Sequence, residues 1–79
     1  MLDGLENASK VVGVKQVRRA LSGGRARRLF LARDADPQLT QPLARQAEER
    51  GVEVCWCGSM RDLGRACRIS VGACVAATL

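Results

Sequence analysis

The feature that most constrains the fold is a short apolar run between two segments with helical periodicity. Residues 29–31, Leu-Phe-Leu, are apolar without interruption, which is typical of a strand buried on both faces of a sheet. On either side, residues 14–21 and 37–50 repeat apolar side chains every three or four positions, which predicts amphipathic helices. Because a strand buried on both faces needs a covering layer on each, the sequence predicts a three-layer α/β/α sandwich.

Turn and capping residues divide the chain into alternating helices and strands. Asp36-Pro37 is typical of a helix start, and Ser59 stands three residues before Asp62, the spacing of a capping box. We predict helices at residues 2–9, 14–21, 37–50 and 60–67, and strands at 11–12, 28–32, 52–56 and 71–78. This gives an α/β fold with about four strands in a mixed sheet and helices on both faces. With 79 residues, the chain (1–79) is expected to form a single domain.

Basic residues are concentrated in the first half of the chain. Residues 10–33 include eight Lys and Arg side chains and no acidic one, and Arg61, Arg65 and Arg68 form a second, sparser group. The formal net charge is +5. A block of one sign favours a polyanionic partner such as nucleic acid. Because 11 of the 13 basic residues are Arg, a solvated arginine-rich surface without a partner stays an alternative.

Apolar segments that target proteins to membranes are missing from the sequence. Residues 1–10 begin acidic and lack the apolar core of a signal peptide. Residues 69–79 are apolar but fall short of the ~18 residues needed to span a bilayer. We therefore expect a cytoplasmic protein.

The four cysteines are expected to be free thiols in the core. Cys55, Cys57, Cys67 and Cys74 would occupy a reducing compartment, and free cysteine behaves as a small buried hydrophobe. Their spacing differs from the C-x₂₋₄-C pairs of zinc sites, and the chain has no His. We also expect Cys55 and Cys57 to point to opposite faces of their strand. Neither a metal nor a cofactor is expected.

The sequence offers no arrangement typical of an enzyme. Without His, Ser-His and Cys-His pairs are impossible, and the glycine-rich phosphate-binding motifs are missing. The neighbouring carboxylates Asp34 and Asp36 are expected to serve the turn before the helix at 37–50, since Asp is common before helix starts. We therefore expect a binding protein rather than an enzyme.

Two segments are candidates for nucleic-acid contacts. Residues 13–16, Gly-Val-Lys-Gln, begin a predicted helix, where free N–H groups favour a phosphate and glycine permits close approach. Arg19 lies on the same helix face as Gln16. Residues 68–73 form a glycine-containing loop whose Ile69 and Val71 could contact an extruded base. An ordinary glycine-capped helix and a plug at the core edge stay open as the structural alternatives.

Four segments together resemble the kink-turn-binding ribosomal protein family. They are residues 13–21, 31–37, 59–67 and 69–73, in the right order and at the right distances, and the resemblance covers residues 11–79. The family includes the archaeal ribosomal protein L7Ae and small bacterial relatives of the YbxF and YlxQ type. Lys15-Gln16 is similar to the bacterial branch, whereas Met60 and Arg68 stand where Lys and Gly are usual.

The resemblance implies a fold, a partner and a set of contacts. The fold is the L30e-like α/β/α sandwich, and the partner is a kink-turn, a bent RNA motif with tandem G·A pairs and a flipped-out bulge nucleotide. The start of the helix at 14–21 would dock on the G·A pairs, the loop at 69–73 would cover the flipped-out nucleotide, and arginines between 18 and 33 would attract phosphates. The implied RNA-binding residues are Gly13, Lys15, Gln16, Arg19, Arg33, Asp36, Ile69, Ser70, Val71, Gly72 and Ala73.

We therefore expect a monomeric RNA-binding protein that stabilises the kinked form of ribosomal RNA or of a riboswitch-type RNA, with the ribosome as one setting. The first alternative is a nonspecific, basic RNA-associated domain, which would bind a straight duplex equally well. Further alternatives are a small ligand-binding domain or enzyme subunit, and a scaffold that acts through protein contacts.

Overall fold

The computed structural model describes Leu5 and residues 8–79. Seven elements follow one another in these residues: β1 (Lys10–Val12), α1 (Val14–Ser22), β2 (Arg28–Ala32), α2 (Pro37–Glu49), β3 (Glu53–Cys57), α3 (Met60–Ala66) and β4 (Val75–Thr78). The predicted alternation of strands and helices is confirmed from β1 onward. The helix predicted at residues 2–9 lies for the most part outside the described residues.

The four strands form one mixed sheet in the order β1-β4-β2-β3. Strand β4 pairs antiparallel with both β1 and β2, and β2 pairs in parallel with β3. Leu31 of β2 lies between Val75 of β4 and Trp56 of β3. Strands β2 and β4 are therefore central, which is why the apolar run of β2 has no polar interruption.

Side chains alternate along the central strands into two separate cores. Leu29 and Leu31 of β2 face α1 and α2, where they pack with Leu43. Phe30 points the other way and packs with Leu63 of α3. All five side chains are almost completely buried, and each contributes about 1.5–3 kcal/mol by removal from water. Helices thus cover both faces of the sheet, and the predicted α/β/α sandwich is confirmed.

Side-chain caps define two helix starts as predicted. Asp36 Oδ1 accepts a hydrogen bond at 2.9 Å from the N–H two residues later, and Ser59 Oγ accepts one at 3.1 Å from the N–H three residues later. Asp34 does not serve the start of α2, contrary to expectation. Its Oδ1 accepts a hydrogen bond at 2.8 Å from the N–H of Met60, because the parallel pairing of β2 and β3 brings the start of α3 beside the turn after β2.

Strand β4 begins at Val75, four residues later than predicted. The segment before it folds against α3 instead of joining the sheet. The N–H groups of Ile69 and Ala73 donate to the carbonyl oxygens of Gly64 and Met60, at 3.1 and 3.0 Å. Because these donors are used in contacts with α3, they are not available to a β-ladder.

Three of the four cysteines pack on the α3 side of the sheet, and Cys74, just before β4, contacts the cores on both sides. Cys57 and Cys67 are buried there, and Cys55 and Cys74 are partly buried beside them. The expectation that Cys55 and Cys57 point to opposite faces is wrong, because residues two apart in a strand share a face.

Within the described part of the chain, no group of three or more His, Cys, Asp or Glu residues is placed to hold a metal ion. No helix among the described residues is both long and apolar enough to cross a membrane.

Candidate nucleic-acid interface

The topology brings four chain segments together at one end of the sheet. Because β1, β2 and β3 end where the antiparallel β4 begins, the residues after the first three strands meet those before the fourth. Backbone hydrogen bonds join these segments. Gly13 N donates to Val75 O at 3.1 Å, and Arg33 N donates to Cys57 O at 2.9 Å. We call this end of the molecule the site end.

At the site end, α1 begins with a glycine. Gly13 has φ 105° and ψ 154°, a conformation that residues with a side chain rarely adopt. It has no side chain to cap the first-turn N–H groups, which also lack acceptors within the helix. A Cβ built on Gly13 would meet no atom within 4 Å. The start of α1 therefore presents free donors and the positive end of the helix dipole to open space.

The outer face of α1 is basic. Its apolar residues are buried against the sheet and α2, and the helix contains no acidic residue. The side chains on its exposed face that carry charge or an amide group are Lys15, Gln16, Arg18 and Arg19. Positive charge therefore extends from the site end along the length of the helix.

The α3–β4 loop, residues 67–74, forms the second wall of the site end. Arg68 adopts a left-handed conformation, with φ 61°. Val71 is 69% exposed and Ile69 is 38% exposed, so two apolar side chains stand in solvent. Neighbouring exposed apolar side chains of this kind are typical of a binding surface. The side chain of Ala73, in contrast, belongs to the core on the α3 side.

Two glycines hold the α3–β4 loop in place. A Cβ built on Gly64 would overlap the carbonyl oxygen of Val71, and a Cβ built on Gly72 would lie 3.2 Å from the Cβ of Met60. The backbone of the loop and the backbone of α3 are therefore in close contact. A loop held in this way needs little ordering when a ligand binds, which lowers the entropic cost of binding.

A depression of about 510 Å³ lies between the α3–β4 loop and α3. Its lining residues are Asp34, Met60, Arg61, Arg65, Ile69, Ser70, Val71 and Gly72. Arg61 and Arg65 are not among the predicted binding residues. Their separation of four positions puts them on the same side of a helix, and this spacing was the signal in the sequence that could have identified them.

Most of the predicted binding residues meet at the site end. These are Gly13, Lys15, Gln16, Arg33, Asp36, Ile69, Ser70, Val71 and Gly72. Arg19 lies one helical turn further along α1. The side chain of Ala73 is buried and its N–H is bonded to α3, so a contact of Ala73 with RNA could come only from the rest of its backbone and stays a prediction.

The basic residues of the first half divide between the two ends of the sheet. The N–H of Arg27 donates at 2.7 Å to the carbonyl of Thr78, the last residue of β4, opposite the site end. Arg28 lies nearby, with Nε 3.3 Å from Oε1 of Glu53 and its guanidinium 5.2 Å from the ring centre of Phe30. The guanidinium of Arg28, one of the arginines expected to attract phosphates, therefore contacts the sheet at the end opposite the site end.

The buried thiols do not add negative charge beneath the site end. Burial raises the pKa of Cys57 and of Cys67 above the ordinary value, and the neighbouring Cys55 raises that of Cys57 further. Both groups are therefore neutral at physiological pH. The positive surface is opposed by the exposed carboxylates of Asp34 and Asp36 rather than by thiolates.

The fold and the site end define a class: small α/β/α domains in which a glycine-led basic helix and a fixed loop meet at one end of a mixed sheet. Residues 5–79 match the family described as the Ribosomal protein L7Ae/L30e/S12e/Gadd45 family. The chain belongs to this family, and its relatives include bacterial YbxF-type members.

Three similar proteins illustrate the relationship. The YbxF protein of Geobacillus stearothermophilus, an RNA-binding protein, is 40% identical over 75 residues, which cover 95% of this chain and 92% of that protein. An RNA-binding protein of Geobacillus sp. strain WCH70 is 41% identical over 75 residues with the same coverage. The solved structure of the Giardia lamblia 15.5kD RNA binding protein has a TM-score of 0.86 and 31% identity, and it covers 98% of this chain, whereas this chain spans 65% of that longer protein.

Proposed function

We propose that the chain acts as a single domain (1–79) that binds structured RNA and recognises the kink-turn. One observation carries the proposal: the open start of α1 and the exposed apolar residues of the α3–β4 loop meet at the same end of the sheet. A kink-turn offers matching features, tandem G·A pairs with nearby phosphates and a flipped-out nucleotide. The similar proteins that are named RNA-binding proteins support an RNA partner.

In this proposal, the start of α1 docks on the G·A pairs. Its free N–H groups and helix dipole attract a phosphate, and Gly13 leaves room for the RNA to approach. Lys15 and Arg19 add positive charge, which favours RNA of any sequence and loses strength with salt. Gln16 can both donate to and accept from a base edge, so it supplies the discrimination between base pairs.

The α3–β4 loop covers the flipped-out nucleotide. Ile69 and Val71 provide apolar contacts to the base, Ser70 provides a hydroxyl group, and Gly72 allows the backbone to come close. On the same end of the sheet, Arg33 contacts a phosphate and Asp36 contacts the nucleotide while it also caps α2. Because the protein surface is shaped before binding, it selects the kinked conformer over the extended one and shifts the RNA population toward it.

The proposed role is binding rather than catalysis, and it requires no cofactor. We place it in the cytoplasm, where a monomer of the protein would act on ribosomal RNA, at the ribosome, or on a regulatory RNA of the riboswitch type. The contribution of the protein is to hold a bent RNA shape that the free RNA populates only in part.

A titration of two RNAs at near-physiological salt tests the proposal. One RNA carries a kink-turn, and the other is the same RNA with its tandem G·A pairs replaced by Watson–Crick pairs. We expect a strong preference for the kink-turn. Gln16→Ala should weaken binding to the kink-turn by about 1–3 kcal/mol and leave binding to the other RNA unchanged, with Gln41→Ala, an exposed glutamine of α2, as the matched control.

The other outcomes favour the alternatives. Equal binding of the two RNAs would make the protein a nonspecific, basic RNA-associated domain. If neither RNA binds, the ligand-binding, enzyme-subunit and scaffold alternatives return.

A further inference from the structure

We infer that the basic residues of α1 and of the segment after it form a track for the phosphate backbone of one RNA arm outside the kink. We call this surface the α1 track, and it consists of Lys15, Arg18, Arg19, Arg25 and Arg27. The inference rests on the proposed function, because docking at the site end determines where that arm begins.

Within the helix, the track follows the exposed face. Lys15 and Arg19 are four residues apart and therefore neighbours on the helix surface, and both are exposed, with Arg18 beside them. After the helix, Arg25 continues the line. A Cβ built on Gly23, the residue that ends α1, would lie 3.6 Å from Nε of Arg25. The guanidinium of Arg25 therefore lies against the C-terminal end of α1.

Arg27 extends the track to the far end of the sheet. It is exposed, and its N–H is bonded to the carbonyl of Thr78. Arg27 lies in a bend just before β2 and directly after Ala26, which packs against the core on the α1 side. Arg28 points to the other side, toward Phe30. We therefore include Arg27 in the track and leave Arg28 out.

The dimensions of the track suit a duplex backbone. The nine residues of α1 span about 13 Å at about 1.5 Å per residue. Along one strand of a duplex the backbone winds around the axis, so successive phosphates are further apart than the rise of about 3.4 Å per nucleotide. The helical part of the track is long enough to meet about two of them. Since residues 10–33 contain no acidic side chain, the positive charge along it is continuous.

The end of α2 beside the track carries no net charge. Gln46 Nε2 donates to Ser22 Oγ at 3.0 Å, so the last turns of α2 lie beside the end of α1. Glu48 and Glu49 are exposed there, with the exposed Arg45 and Arg50 on either side of them. This part of the surface therefore has no excess of positive charge to draw a phosphate backbone away from the track.

The test uses kink-turn RNAs whose arms are lengthened separately. A short-armed kink-turn is compared with two versions in which one arm or the other is extended by about ten base pairs, one helical turn. We expect extension of one arm to tighten binding and to steepen its salt dependence, and extension of the other to change neither. The double variant Arg25→Gln/Arg27→Gln should lose this gain. The slope of log K against log salt should become shallower by about 2 on the long-armed RNA and stay unchanged on the short-armed RNA.

The control is Arg45→Gln/Arg50→Gln, which removes the same charge from exposed positions at and after α2. It should retain the gain, and the melting temperatures of both double variants should match that of the wild type. The inference is overturned if arm extension gives the wild type no gain, or if both double variants lose the gain equally. If the wild type shows no preference for the short-armed kink-turn over its G·A-free counterpart, the proposed function fails and the track falls with it.

Discussion

Replacing Gly64 by alanine should weaken RNA binding while the fold stays intact. A Cβ at this position would overlap the carbonyl oxygen of Val71 and would lie 3.1 Å from the Cα of Gly72. Both atoms belong to the backbone, so no change of rotamer can relieve the overlap. The α3–β4 loop must therefore move away from α3, while the open start of α1 stays where it is.

The energetic cost of the change has two opposing parts. Overpacking at a tight contact costs about 1–3 kcal/mol. Alanine is better than glycine within a helix by about 1 kcal/mol, which offsets part of the loss. We therefore expect the free energy of unfolding to fall by about 0–2 kcal/mol. The loss of RNA affinity should exceed this loss of stability, because a displaced loop would lose the contact with the flipped-out nucleotide that we propose for it. A good base contact contributes about 1–3 kcal/mol, which corresponds to roughly tenfold or more in Kd.

Two measurements separate stability from binding. Urea unfolding can be followed by the fluorescence of Trp56, the only tryptophan, and RNA affinity by titration with the kink-turn. Gly58→Ala is the matched control, since a Cβ there would lie 3.4 Å from a side-chain oxygen of Asp62, an ordinary contact. Wild-type affinity in a folded Gly64→Ala protein would refute the reasoning, because it would show that the position of the loop does not matter to RNA binding.

Three further predictions concern stability and its link to the site. Arg68→Gly should raise the free energy of unfolding by up to about 1 kcal/mol, because glycine adopts the left-handed conformation without strain, whereas Arg65→Gly in α3 should lower it by about 1 kcal/mol; urea unfolding of the two variants compares these effects. Arg28→Ala should lower the free energy of unfolding by about 0.5–1 kcal/mol, because the contact with an aromatic ring is lost. RNA affinity, measured by titration, should not change. An equal loss of affinity for every RNA would contradict this prediction. Because burial raises the pKa of Cys57 and Cys67 in the fold, unfolding releases thiol protons at alkaline pH. The contribution of these thiols to the free energy of unfolding should be fully present below about pH 8.5, the pKa of an unperturbed thiol. It should be lost at higher pH, as the pH passes the raised pKa values of the folded protein. The urea midpoint should therefore fall with rising pH less steeply in Cys57→Ala than in the wild type.

The sequence predicted those elements that carry their own local signals. The bounds of β2 were predicted residue by residue, because an apolar run between basic and turn residues marks both of its ends. Asp36 and Ser59 were assigned correctly as caps, because a cap bonds to an N–H two or three residues away. The opening of α1 at Gly13 was visible for the same reason.

Features that depend on distant contacts were not predicted. Asp34 caps a helix that begins 26 positions later, so nothing in its neighbourhood indicates this partner. The apolar segment before Val75 has a strand-like composition, but its backbone groups bond to α3. Arg28 belongs to a basic block in the sequence, and only the strand pairing reveals that it lies opposite Glu53. In each case the sheet register, rather than a local preference, decides the outcome.

The two walls of the site end belong to different layers of the molecule, and β4 joins them. Val75 packs in the core shared with α1, and its carbonyl accepts the N–H of Gly13. Ala73, two residues earlier, packs in the core shared with α3. The distance from the start of α1 to the α3–β4 loop is therefore determined by the three consecutive residues 73–75. Ala73 is bonded to α3, the carbonyl of Cys74 accepts the N–H of Ala32 at 2.9 Å, and Val75 begins β4. A protein that selects one bent RNA shape needs a fixed distance of this kind, because a hinge between the walls would accept straight and bent RNA alike. We therefore expect that mild substitutions in either core reduce the preference for bent over straight RNA, whereas only more disruptive ones abolish RNA binding.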